Sequence, residues 1–327
     1  MPRSNKLLVS EFSPAGGGVE IHRFDLPDAP PEGQIRVKIH AAPINPADLN
    51  YIEGTYGDRP ELPAAIGMEG IGVVIAVGAN TSTPIGATVF FIDRAGSWAE
   101  LVDAPESSLL ALPDGIDPLQ GALLKVNPMT ALRLLSDFAT LPKGAWVIQN
   151  AANSSVGECV IQIAKQLGLR TANIVRREGL EQKLLSLGAD EVFVDSSTLK
   201  EEVQQRIGEA PALGLNAVGG DSALRIMDIL DAKGVMVTYG AMSRRSLKVP
   251  NSFLIFKQLR LEGFWVTKWI ASKKREELAK EYGQLARWIQ GGQLCSSIEK
   301  TYPLDDFKPA LLHASRDQRS GKILFTP

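Results

Sequence analysis

The chain has 327 residues, 44% of them hydrophobic, and carries 35 basic against 37 acidic side chains. That length allows about two domains with proper cores, and the near-neutral balance gives no footing for nucleic acid. Cys159 and Cys295 are its only cysteines; without a C-x-x-C pair they support neither a disulfide framework nor a thiolate zinc site, which fits a reducing, cytoplasmic setting. No apolar run approaches the ~18 residues of a membrane span. The stretch MPRSNKLLVSEFSPAGGG has neither the apolar core of a secretory signal nor the Arg/Ser richness of a transit peptide.

Up to about residue 120, short apolar runs such as IRVKIHAAPI and GIGVVIAVG are broken by Gly, Pro and Asn, the pattern of antiparallel β structure with tight turns. From about residue 128 the texture changes. Pro128 opens a helical stretch in which Leu132, Leu135 and Phe138 recur at helical spacing. KGAWVIQNA then predicts a buried strand, and SSVGECVIQIAKQLG an amphipathic helix closed by Gly168. RTANIVRR, DEVFVDS, LGLNAVGG and GVMVTYGAM continue the strand pattern, with helices at EQKLLSLG and from near Asp221. Such alternation predicts a parallel sheet covered on both faces, with ligands at the C-terminal ends of its strands. A last helix falls at roughly 273–291, and the tail GKILFTP reads as a strand returning to the first domain.

The loop between the first buried strand and its helix is where a dinucleotide fingerprint, G-x-G-x-x-G, belongs. In AANSSVG the three positions are Ala152, Ser154 and Gly157, so only the glycine that lets helix and strand pack closely is kept. A phosphate can still be held there, because a helix N-terminus offers free N–H groups and Ser154 and Ser155 add hydroxyl donors. Asn153 is the residue of the loop expected to take a left-handed conformation in place of a glycine. The alternative is an ordinary N-cap on a helix packed against a sheet. The second strand runs into Arg176 and Arg177, where an acidic residue would take the ribose of NAD and an arginine accommodates the 2′-phosphate of NADP. This favours NADPH.

Taken together, INPADLNYIEGTYGDRPELPAAIGMEG, VNPMTALRLL, VIQNAANSSVGECVIQIAKQLGLRT, LGLNAVGG, VTYGAM and FLIFKQLRLEGFW resemble the medium-chain dehydrogenase/reductases, and within them the enoyl thioester reductases of mitochondrial fatty-acid synthesis. The resemblance implies an α/β protein in which a GroES-like, β-rich catalytic domain, 1–120 and 264–327, is interrupted by a Rossmann-type doubly wound parallel sheet, 121–263. It also implies a homodimer that uses NADPH to reduce the 2,3 double bond of an acyl thioester carried on coenzyme A or acyl carrier protein. Residue by residue, it gives Tyr56 of GTYG as proton donor and Trp265 of GFW as its aromatic partner. Cofactor contacts carried over in the same way are Asn127, Asn153, Ser154, Ser155, Val156, Arg176, Arg177, Tyr239, Gly240, Ala241, Met242, Phe264, Trp265, Val266 and Lys322.

Reduction of an enoyl thioester puts negative charge on the carbonyl oxygen and then needs a proton at the α-carbon, which a tyrosine hydroxyl can supply without a metal. Zinc members of the superfamily carry Gly-His-Glu where this chain reads Gly67-Met68-Glu69, and His22, His40 and His313 show no paired spacing. No metal is expected. Asn45 and Asp48 either orient the ribose or organise a turn after Pro46, and Met68 reads as core. Between Arg244 and Arg275 stand nine basic residues and one acidic, Glu262: an electropositive lip for coenzyme A phosphates or an acidic carrier protein, or a solvated surface. Two other functions stay open, a zinc-free quinone or enone reductase and a non-catalytic NADPH-binding sensor.

Overall fold

The structure, a computed structural model, describes residues 2–317 and 319–327. The chain divides into two units, Met1–Val126 with Ile270–Pro327, and Asn127–Trp269.

The second unit is built on six parallel strands, Trp146–Gln149, Arg170–Val175, Glu191–Val194, Leu213–Asn216, Val235–Thr238 and Arg260–Gly263. Counted along the chain, they lie in the order third, second, first, fourth, fifth, sixth. That is the order of dinucleotide-binding sheets, whose ligands sit beyond the C-terminal strand ends where the order reverses, here between the first and fourth strands. Trp146–Gln149 is buried at every position, as a central strand of a doubly covered sheet must be. The following helix, Ser155–Leu167, hides Cys159, Val160, Ile163 and Ala164 and ends at Gly168, which takes φ 71° as left-handed C-cap. A Cβ on Gly157 would come within 2.5 Å of the Ala152 carbonyl oxygen, so the retained glycine is what lets helix and strand approach.

The first unit is mainly antiparallel β. Arg3–Val9 pairs with Val19–Asp25 and Ala64–Ala65, and a larger sheet is centred on Gln34–Pro43 and Ile71–Val77. The tail returns as expected: Lys322–Phe325 runs antiparallel to Gln34–Pro43 and parallel to Ile298–Tyr302. Phe325 is fully buried and meets Trp98 edge to face at 5.0 Å, while Trp98 Nε1 donates to the Pro43 carbonyl.

Beyond the short Pro118–Gly121, Asn251–Ile255 and Val266–Ala271, the sequence pattern does not announce three longer helices. Pro46–Ile52 lies where only a turn or a ribose contact is expected; Pro46 starts it, and the Asp48 carboxylate accepts the Asn45 backbone N–H at 2.8 Å. Leu199–Ile207 and Phe307–Ser315 are the others. Leu199–Ile207 is polar over most of its length and buries only Leu199 and Val203.

Candidate active site

In the parallel-sheet unit, the loop expected to hold a phosphate forms an N-cap on its helix. The Ser154 hydroxyl accepts from the Gly157 N–H at 3.2 Å, while Asn153, Ser154, Ser155 and Val156 are half-buried. The left-handed residue is not Asn153: Ala151 takes φ 50°, two positions earlier. The turn is drawn tight there, because the Ser154 N–H donates back to the Ala151 carbonyl at 2.8 Å. Arg176 and Arg177 follow the second strand directly and are exposed. Tyr239, Gly240, Ala241 and Met242 form the loop after the fifth strand, pinned by Tyr239 N–H to Asn216 O and by Met242 N–H to Ala217 O. The Tyr239 hydroxyl is buried beside Ser154, and that burial pushes its pKa well above the ordinary phenol value. Phe264, half-buried, meets Phe138 edge to face at 5.9 Å; Trp265 has the Lys268 ammonium 5.5 Å from its ring, and Val266 is buried. Asn127 is 5% exposed, and its Nδ2 has no hydrogen-bond partner among the described residues.

A relay of buried amides under these loops has no signature in the sequence. Gln149 Nε2 donates to Asn173 Oδ1 and to Gly157 O, and Asn150 Nδ2 to Asn216 Oδ1 and Ser222 Oγ. Asn150 Oδ1 accepts from Ala217 N–H, and Asn216 Nδ2 donates to Thr238 Oγ1. Strands one, two, four and five are thereby fixed side by side at their C-terminal ends, where loops that hold a cofactor must keep their spacing.

In the antiparallel unit, Tyr56 is half-buried and packs on the core, in a turn whose Thr55 and Tyr56 N–H groups both donate to Asn50 O. Lys322 is 4% exposed and donates to Asn45 Oδ1. Asn45 Nδ2 in turn donates to Glu69 Oε1 at 2.7 Å, and Val126 N–H to Glu69 Oε2 at 2.9 Å. Asp48 Oδ1 accepts the Met68 N–H, and the Lys125 ammonium donates to Met68 O at 2.6 Å. Two carboxylates and two ammonium groups are thus buried together. Burial raises the Asp48 carboxyl to about 7, holds Glu69 above its usual range and lowers Lys125 to about 8 against the pull of Glu69. Asn45 and Asp48 therefore do organise the chain after Pro46, and they do so as part of a charge cluster that the sequence does not reveal. Its thioether and ammonium groups do not fit a zinc ion.

The basic stretch is partly structural. Lys257 donates to the Met227 and Asp228 carbonyls at the end of helix Gly220–Ile229, Arg260 to Phe138 O and Arg275 to Glu106 O and Ser107 O. Arg244, Arg245 and Lys248 remain exposed.

A family model described as the GroES-like domain of alcohol dehydrogenase matches residues 31–114, and one described as zinc-binding dehydrogenase matches 155–287. The mitochondrial enoyl-[acyl-carrier-protein] reductase of Xenopus tropicalis is 44% identical over 293 residues, 86% of this chain and 84% of the relative. Among solved structures, the complex of Etr1p with NADP and crotonyl-CoA matches with TM-score 0.91 at 26% identity. The Etr1p/Etr2p heterodimer, a mitochondrial 2-enoyl thioester reductase from Candida tropicalis, matches with 0.91 at 28%, and a protein of Bacillus thuringiensis provisionally described as an NADPH:quinone reductase with 0.92 at 25%. Each of the three covers the whole of both chains.

Because folded Asp48 keeps its proton up to about pH 7 while the unfolded side chain releases it near 3.8, folding stability falls as pH rises through that window. Glu69, also held above its usual range by burial, adds to the same slope, so Asp48→Asn reduces the slope and does not abolish it, which chemical denaturation at pH 5 and pH 7 measures; an unchanged slope means that Asp48 does not carry it.

Proposed function

The chain belongs to the medium-chain dehydrogenase/reductase superfamily, among the enoyl thioester reductases of mitochondrial type, and from that premise we propose that it reduces the 2,3 double bond of trans-2-enoyl thioesters with NADPH. The observation that carries this reading is the likeness, along the whole chain, to a reductase solved with NADP and crotonyl-CoA. The residues fit the cofactor. A serine-capped helix start offers N–H groups to a pyrophosphate, two exposed arginines stand where a 2′-phosphate lies in such sheets, and the buried Asn127 amide has a donor to spare.

When bound, NADPH supplies hydride to the β-carbon of the substrate. Tyr56 is the proton donor to the α-carbon, Trp265 its aromatic partner, and Lys322, held through Asn45 and Glu69, a fixed cationic donor to the cofactor. The name of the Xenopus relative favours acyl carrier protein as the thioester carrier and the solved complex favours coenzyme A. The same name favours a mitochondrial setting over the cytoplasm expected from composition; among the described residues no helix is long and apolar enough to cross a membrane. A homodimer is supported by the sixth strand of the parallel sheet, paired on one side only, and by Ile255 and Phe256 just before it, 63% and 80% exposed. The likeness to the Bacillus protein favours a second reading, reduction of compact quinones or enones.

Following NADPH absorbance with 2-enoyl thioesters of graded length, on coenzyme A and on carrier protein, against a quinone control separates the two; turnover of quinone alone overturns the thioester reading. Tyr56→Phe is expected to lower kcat by about 100-fold or more, the usual weight of a positioned proton donor, with NADPH affinity nearly intact. Full activity in that variant removes Tyr56 from its role. Replacing Arg176 and Arg177 together raises KM for NADPH about tenfold or more while leaving KM for NADH within about twofold, the signature of a lost phosphate pair. Equal effects on both cofactors count against the 2′-phosphate assignment. Phe256→Glu shifts the mass seen by light scattering from two chains to one, and an unshifted mass places the dimer contact elsewhere.

A further inference from the structure

Arg94 belongs to no motif that the sequence offers, yet it stands against the proton donor. Its guanidinium carbon lies 4.2 Å from the Tyr51 ring centroid and 5.5 Å from that of Tyr56, and Nη1 is 3.9 Å from Asp58 Oδ2. Tyr51 is 6% exposed and sits on helix Pro46–Ile52, so it is a fixed platform for the guanidinium plane. The Tyr56 backbone is tied to the end of the same helix through Asn50 O. With the backbone anchored, the Tyr56 ring is set by what packs on it, the core on which it lies and the Arg94 guanidinium over its face. The nearby carboxylate does little to quench that charge: the Asp58 side chain is 75% exposed against 26% for Arg94, a pair largely screened by water.

We propose that Arg94 is a positioning residue for Tyr56, holding the phenol ring in orientation and keeping a fixed positive charge beside it as its proton leaves. The inference rests on the enoyl reductase reading. In that reaction the hydride pair forms the new bond at the β-carbon, and the π pair of the double bond shifts to the thioester carbonyl oxygen as an enolate. The α-carbon then forms its bond to the Tyr56 proton while the carbonyl re-forms. The O–H bond pair stays on the phenolic oxygen, so the side chain is momentarily an anion, and solvent water returns the proton. The guanidinium stands beside the ring before that anion appears, so its charge acts without reorganisation.

The test is a double-mutant cycle on the full chain with crotonyl thioester as substrate and NADPH affinity read by fluorescence quenching. Arg94→Met is expected to lower kcat about tenfold or more, with the NADPH Kd within about twofold and Arg94→Lys recovering most of the loss. In the Tyr56→Phe background the same Arg94→Met change costs less than about twofold, because the group it serves is gone. An unchanged kcat in Arg94→Met, or equal losses in both backgrounds, overturns the proposal. Should circular dichroism show Arg94→Met unfolded, Arg94→Gln takes its place in the cycle, and an unchanged kcat or equal losses overturn the proposal in the same way. A wild type that fails to oxidise NADPH with any enoyl thioester overturns the reductase reading and this inference with it, whereas an active wild type indifferent to Arg94 overturns the inference alone.

Discussion

A carboxylate cannot be taken out of water without partners, and Glu69, 1% exposed, is the side chain around which the antiparallel unit is arranged. Its two oxygens are met by the Asn45 amide and the Val126 N–H, and the ammonium groups of Lys322 and Lys125 offset its charge. Four stretches of chain converge on it: the start of the helix that leads to Tyr56, the Gly67-Met68-Glu69 segment, the last residues before Asn127, and the returning tail. Satisfying one buried charge therefore fixes where the proton-donor turn begins, how the chain leaves the unit, and where Lys322 points its amine. Zinc members of the superfamily place a histidine beside the corresponding glutamate; here Met68 is buried next to it, and two lysines carry the positive charge.

The parallel-sheet unit meets a related demand with neutral groups. Amides on strands one, two and four bond to one another and to Thr238 on the fifth, so the strand ends around the switch point keep their spacing through uncharged groups. Gly157 then allows the helix to close on the strand, and Ser154 supplies the cap that a glycine in its place would lack. An altered fingerprint is thus a working helix terminus, with the tight turn carried by Ala151 at φ 50° rather than by a glycine.

Much of this is legible in the sequence where the cause is local. Periodicity gives the helix Ser155–Leu167, Gly168 marks its end, the βα alternation gives the sheet, and the double arginine falls directly after the second strand. What escapes depends on partners far apart in the chain. Lys322 and Asn45 are 277 positions apart, Lys125 and Met68 57, so nothing near any of them signals the cluster. The left-handed residue is misplaced because conformational tolerance favours Asn153 while the hydrogen bond from Ser154 selects Ala151. Lys257 and Arg260 read as surface charge because the carbonyls they bond lie on other elements.

The tail strand also bears on how the chain is made. Lys322–Phe325 lies between Ile298–Tyr302 and Gln34–Pro43, so the larger sheet of the antiparallel unit is incomplete until residue 325 has been synthesised. The parallel-sheet unit has every strand it needs by Gly263 and can be complete while the ribosome is still reading the rest, since domains fold as units during synthesis. The parallel sheet thus has all its strands before Gln34–Pro43, made far earlier, gains the tail as its neighbour.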